Sequence, residues 1–193
     1  MRQITSIFLL SAAFIICAHA APVPTITLLP ASGNVAGPPG SVVGWGFTFT
    51  YNAPADWAIL TGSEFTGSPV YGTYVDYLSQ ATAPLYVAGP PPESATVQQA
   101  WNPSATPPLG VGEFDINSTA AVGAQIAGDI TVHYAVFSQD PKSLDFDPSS
   151  VVVPDATISI PADVTVSPEP ATFWMMSAAL LPLALLSRRH RQA

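Results

Sequence analysis

The sequence predicts an all-β protein, one β-sandwich body with a targeting segment at each end, and three observations predict it. Between the ends the chain is rich in Thr, Ser, Val and Ala and poor in Lys and Glu, the charged residues that surface helices favour. Its clearest apolar runs alternate at period two, the repeat of a half-buried strand. Clusters of Gly, Pro, Asn and Asp punctuate those runs at a spacing of roughly eight to fifteen residues, as in a β-sandwich.

The chain opens with Arg2, an apolar run from Ile7 to Ala18 and the small-residue triplet Ala18-His19-Ala20. A basic head, a short apolar core and small residues before a cut form a secretory signal peptide, assigned to residues 1–20. Ala18 and Ala20 are the small side chains that a signal peptidase reads, with cleavage after Ala20. Cys17, the single cysteine, leaves with the leader. Bulky Ile15-Ile16 ahead of it do not suit a lipidation site. No disulfide is then available, and the body must rest on its hydrophobic core.

The body is assigned to residues 21–160. Its leading strand is Val42 to Tyr51, with Val43, Trp45, Phe47, Phe49 and Tyr51 on one face. Gly44, Gly46, Thr48 and Thr50 form the other, facing solvent or a close neighbour. Gly37-Pro38-Pro39-Gly40 starts this strand and Asn52-Ala53-Pro54 ends it. A second strand runs from Ile130 to Val136, with Ile130, Val132, Tyr134 and Val136 inward and His133 outward. Shorter strands are expected at Thr25 to Leu29, Trp57 to Thr61, Tyr71 to Leu78, Leu85 to Val87, Thr96 to Gln99, Gly112 to Ile116, Val151 to Val153, Thr157 to Ile160 and Val164 to Val166. Ala88 to Glu93 and Trp101 to Gly110 read as Pro-rich loops, and residues 161–167 as a stalk. The order of the Gly-Pro-Pro-Gly turn, the Trp and alternating aromatics, and the closing Asn resembles the early strands of immunoglobulin-like bacterial surface domains. That resemblance implies an immunoglobulin-like sandwich.

Composition narrows the function. Gly and Pro supply 13 and 21 of the 193 residues, below the share that marks disorder, so the body is expected to fold. Four of the five basic residues, Arg2, Arg188, Arg189 and Arg191, lie in the ends, leaving Lys142 against twelve acids from Asp56 to Asp163. One lysine against twelve acids gives a formal body charge near −11. Such a surface repels a phosphate backbone, which excludes nucleic acid as a partner.

Catalytic chemistry finds few residues. His133 is the sole histidine of the body, so neither a His-based triad nor a multi-His metal centre can be assembled. Asp140, Asp145 and Asp147, near Ser149 and Ser150, offer oxygen ligands of the kind calcium takes, but without EF-hand spacing they read as a solvated acidic loop. Glu113 and Asp115 share a strand face and are the candidate carboxylates for glycoside hydrolysis, with no second convergent group. The residues call for no metal, no cofactor and no enzyme activity. Trp57, Tyr71, Tyr74, Tyr77 and Trp101 are aromatics that can stack on sugars, and Trp101, beside Asn102-Pro103, is the best candidate for exposure. A carbohydrate-binding module of the envelope is therefore the alternative function.

At the other end stand Pro168-Glu169-Pro170, an apolar stretch from Phe173 to Leu186, and Ser187-Arg188-Arg189-His190-Arg191. The coincidence resembles the PEP-CTERM sorting domain over residues 168–193. The apolar core has 14 residues, about 21 Å as a helix against a hydrocarbon core of ~30 Å, and Pro182 interrupts it. Neighbouring residues extend it to a marginal span at about 171–187, with a basic tail at 188–193. Arg188, Arg189 and Arg191 hold the tail in the cytoplasm, which puts the body outside the inner membrane. The resemblance implies an exported surface or matrix protein with an exosortase as its processing partner, Pro168, Glu169 and Pro170 as the recognition motif, and a link to exopolysaccharide and biofilm. The expected localisation is a transient inner-membrane anchor, then the cell surface or medium.

Overall fold

A computed structural model describes residues 22–80 and 86–169. The described chain is all-β. Ten strands build it: β1 (Thr25–Leu29), β2 (Asn34–Gly37), β3 (Val42–Thr50), β4 (Trp57–Phe65), β5 (Gly72–Asp76), β6 (Val87–Ala88), β7 (Thr96–Gln99), β8 (Gly112–Ile116), β9 (Gln125–Phe137) and β10 (Val151–Val166). One sheet has the order β1-β3-β8-β5, with β7 also pairing β3, and the other has the order β2-β10-β9-β4-β6. Two sheets that share one core are the arrangement of a β-sandwich.

The aromatic strand β3 is the centre of the first sheet. It pairs with β1 along one edge, and along the other with β8 over Val42–Trp45 and with β7 over Phe47–Thr50. Trp45, Phe47 and Phe49 are fully buried, as the period-two pattern requires. Phe47 meets Tyr86 edge-on at 4.8 Å between ring centroids, and Phe65 meets Phe114 edge-on at 5.6 Å. The second sheet answers with Ile126, Ile130, Val132 and Val136 from β9, and Ala162, Val164 and Val166 from β10.

The first two strands belong to different sheets. Between them Gly33, at φ 72°, takes the left-handed conformation that glycine adopts without penalty. Its carbonyl accepts from the Trp45 indole N–H at 2.7 Å and from the Asp163 N–H at 3.1 Å. One backbone oxygen thus ties the sheet crossing to the largest core side chain and to β10.

Several sequence expectations change: Trp57 to Thr61 runs on to Phe65, Tyr71 to Leu78 shortens to Gly72–Asp76, Ala88 belongs to the strand Val87–Ala88 rather than to a loop, and Ile130 to Val136 is part of Gln125–Phe137. The stretch expected as a stalk, 161–167, is core: Ala162, Val164 and Val166 are buried, and β10 runs through Val166 between β9 and the parallel strand β2. The body therefore extends past 160 to 166. The three short strands expected between Val151 and Val166 are one 16-residue strand, in which Pro154 sits at a register shift between Val153 and Ala156. Finally, β2 was not anticipated by any periodicity. Among the expected strands, Thr25–Leu29, Thr96–Gln99 and Gly112–Ile116 have the observed bounds.

No helix among the described residues is long and apolar enough to cross a membrane. The expected signal peptide with Ala18 and Ala20, the helix at about 171–187, Pro170 and the arginines 188, 189 and 191 all lie outside the described residues.

Candidate functional site

The C-terminal exit of the body is the first candidate site. Val166 is fully buried, and its N–H donates to the Ala124 carbonyl at 2.9 Å. The next residue, Ser167, donates its N–H to Gly37 at 2.9 Å, the end of β2. Beyond it Pro168 is half-buried and Glu169 is exposed. The expected recognition motif thus begins at the residue after the last backbone bond among the described residues. β10 ends at Val166, and proline at 168 has no N–H with which to carry the ladder further.

A polar network joins the two sheets. Ser63 of β4, 9 % exposed, is a buried polar side chain in an otherwise apolar interior. Its Oγ lies 2.6 Å from Asp76 Oδ1, 2.8 Å from the Tyr74 hydroxyl and 2.9 Å from the Val111 carbonyl. The serine hydroxyl carries one proton, so it donates to one of the two acceptors, Asp76 or Val111, at a time. Tyr74 can donate to Ser63 in return. Asp76 also accepts from the N–H groups of Leu78 and Ser79 at 2.8 and 3.2 Å, which shapes the turn after β5. Burial pushes the Tyr74 hydroxyl well above the usual tyrosine range.

Beside it stands the pair Tyr77 and Glu113. The Tyr77 hydroxyl donates to Glu113 Oε2, and burial first, then the carboxylate, raise its pKa. The Trp101 indole nitrogen comes close enough to Tyr77 to oppose part of that rise without reaching hydrogen-bond geometry. Glu113, the candidate acid, is thus held by a buried hydroxyl, while Asp115 on the same face is exposed.

Trp101 departs from expectation. It is half-buried, its indole lies directly over Gly44 and its Nε1 is buried. The loop that carries it folds back through paired bonds between Asn102 and Leu109, at 2.8 and 3.0 Å. The small face of β3 therefore has a close neighbour, because Gly44 and Gly46 leave room for Trp101 and Ala100. Trp57 lies over Gly89 in the same manner. Among the described residues no aromatic side chain is exposed.

The remaining candidates are dispersed. His133 contacts Asp155 at 3.3 Å on the outer face of the second sheet. Asp140 accepts from the Lys142 N–H at 2.9 Å, and Asp147 takes the Ser149 N–H and hydroxyl at 2.8 and 2.7 Å, which lowers its pKa. Both carboxylates thus serve local turns, Asp145 is exposed, and among the described residues no group of three metal-ligating side chains converges. Lys142 pairs with Glu93 at 2.7 Å. A cleft of about 110 Å³ opens between Phe65, Pro69, Tyr74 and Phe114, well below the usual volume of a small-molecule site.

Sequence reasoning missed Ser63 and its partners, since a lone serine in an alternating strand carries no signal of burial. Comparison with family models, with curated proteins and with solved structures returns no match for this chain.

Proposed function

We propose that this chain is an exported, non-enzymatic protein of the cell surface or extracellular matrix. A signal peptide carries it out, a C-terminal apolar segment holds it at the inner membrane, and an exosortase-type protease releases the body at Pro168-Glu169-Pro170. The observation that carries this reading is the position of the motif. The last core side chain is Val166, the last bond is from Ser167 to Gly37, and Glu169 is exposed. Among the described residues, every core side chain and every backbone bond of the sandwich lies on the N-terminal side of the motif.

The body itself is read as an immunoglobulin-like sandwich. The set β1-β3-β8-β5 corresponds to strands A, B, E and D of a constant-type immunoglobulin domain, and β4-β9-β10 to C, F and G, in the same chain order. On that reading β2 is an added strand beside G, and β6 and β7 belong to an excursion between D and E. No cysteine pair joins these sheets; the bond from Trp45 to Gly33 and the Ser63 network supply polar cross-links instead.

The geometry favours a structural role over the sugar-binding alternative. A sugar platform needs an exposed aromatic face, and Trp57 and Trp101 lay theirs on glycines. It also favours it over hydrolysis, since Glu113 is engaged by Tyr77. Partners on this account are the two processing proteases, the inner membrane and exopolysaccharide. Replacing Glu169 by Ala in cells that carry the sorting protease tests the proposal. Accumulation of full-length, membrane-bound chain is expected, and unchanged release of the body would refute the role of the motif.

A further inference from the structure

The two poles of the sandwich differ in charge. The chain leaves the body at one of them, where three connections meet: residues 38–41, 66–71 and 117–124. Backbone bonds tie all three to the exit. Ser167 donates to Gly37 at 2.9 Å, Gly123 to Val166 at 2.8 Å, Gly40 to Ile116 at 3.0 Å and Asn117 to Tyr71 at 2.9 Å. The Asn117 side-chain amide also donates to the Val70 carbonyl at 3.1 Å. Although the body is strongly acidic, no residue in these connections carries a charged side chain. Asp115, Asp129 and Asp163 stand behind them on β8, β9 and β10, and Glu169 follows the exit. The opposite pole is where β4 starts, β5 ends and β9 gives way to β10. It carries Asp56, Asp76, Asp140, Asp145 and Asp147, and Glu93 paired with Lys142. Apolar exposure alone does not separate the poles. Val70 and Val122, 71 % and 57 % exposed, stand on the neutral connections, whereas Leu144, also exposed, lies in the far segment that holds Asp140, Asp145 and Asp147.

We propose that the neutral pole is a membrane-contact face, seated on the lipid headgroups with Val70 and Val122 turned toward the acyl boundary. The proposal rests on the reading of residues 171–187 as the anchor. On that reading four residues separate Ser167, bonded to Gly37, from the start of the anchor at Ala171, at most about 14 Å of extended chain. The headgroup layer takes up about 5–8 Å of that reach, so the body is held against the surface. Which side it turns to the lipid is then set by charge. A carboxylate brought to a membrane surface loses solvation, so the pole without one makes the closest approach, and exposed valines gain by leaving water. β9 runs 13 residues from this pole to the other, about 40 Å, which carries the acidic pole away from the bilayer. The occupant is a lipid surface because the chain that would hold the body to it leaves from this pole, between the three uncharged connections.

The test uses the full-length chain purified from membranes of cells without the sorting protease, in a Cys17→Ser background, and reconstituted in vesicles of phosphatidylethanolamine and phosphatidylglycerol. A solvent-sensitive fluorophore is attached in turn to Val70→Cys, Val122→Cys, Leu144→Cys and, within the anchor, Ala178→Cys. Emission from positions 70 and 122 is expected to shift to the blue and to be quenched by a nitroxide on the lipid headgroup. Emission from position 144, equally exposed and apolar in the native chain but on the acidic pole, is expected to stay that of a label in water. A blue-shifted label at position 178, with positions 70 and 122 no different from 144, leaves the anchor standing and overturns the contact face. A water-like label at position 178 refutes the anchor and the contact face with it. A blue shift at positions 70 and 122 that the headgroup nitroxide does not quench places a protein neighbour on this pole and overturns the proposal as well.

Discussion

Deleting residues 161–167 from the body discriminates between a stalk and a core strand. Val164 and Val166 are fully buried and Ala162 is 2 % exposed. Burial of a valine contributes roughly 1.5–3 kcal/mol and that of a methyl group about 0.8 kcal/mol, so the three side chains together contribute about 4–7 kcal/mol. The deletion also strips β2 of its strand partner, because Asn34–Gly37 pairs in register with Asp163–Val166. A domain of this size is stable by about 5–15 kcal/mol, so the loss is comparable with the whole. A body ending at 160 should therefore lack a cooperative urea transition and lose its near-ultraviolet circular dichroism, whereas one ending at 167 keeps both. Within the full chain, Val164→Asp should act in the same direction by burying an uncompensated carboxylate. If the body ending at 160 unfolds at the same urea midpoint as the longer one, the reasoning about β10 is wrong.

Other perturbations probe the interior. Trp45→Phe removes the donor to Gly33, worth about 1 kcal/mol, and leaves a void costing on the order of 1 kcal/mol more. The expected loss of about 2 kcal/mol corresponds to a fall of about 4–8 °C in Tm, read by calorimetry. Ser63→Ala should cost about 1–3 kcal/mol by leaving Tyr74 and Asp76 short of a partner, and Tyr74→Phe in the same chain should add less than its effect alone. Strict additivity in urea titrations would show that the network is not coupled. Tyr51, whose hydroxyl has no hydrogen-bond partner among the described residues, has its pKa pushed up to about 12 by burial first and by Asp56 next. Because the folded value exceeds the ordinary value of 10.0, Tyr51 leaves stability constant below pH 10.0 and lowers it as pH rises from there to about 12. Tyr51→Phe should therefore shift alkaline unfolding to higher pH, and an unchanged midpoint would contradict the assignment.

The strands that the sequence announces are those whose environment is two-sided and local. β3 and the Ile130 to Val136 stretch of β9 alternate because one face meets the core, and both are read from residue types alone, whereas the start of β9 at Gln125 is not. β2 escapes notice because four residues, Asn34–Gly37, have a single buried position and owe their conformation to β10, far along the chain. β10 reads as fragments because Pro154 and Pro161 look like breaks; one sits at a bulge and the other turns its missing donor to the open edge. Trp101 misleads because Asn102-Pro103 marks a loop, and loops are usually solvent-facing. The available signal was on the other strand, where Gly44 and Gly46 interrupt a run of aromatics and mark a close approach. The Ser63 network leaves no trace in sequence, since its partners stand 11, 13 and 48 residues away.

The most direct test of the whole account is the intact mass of the protein recovered from membranes and from the medium, in cells with and without the sorting protease. The account predicts a released form that begins at Ala21 and ends within Pro168-Glu169-Pro170, present only where the protease is active, and a membrane-held form ending at Ala193 where it is not. A released form that still ends at Ala193 would contradict it.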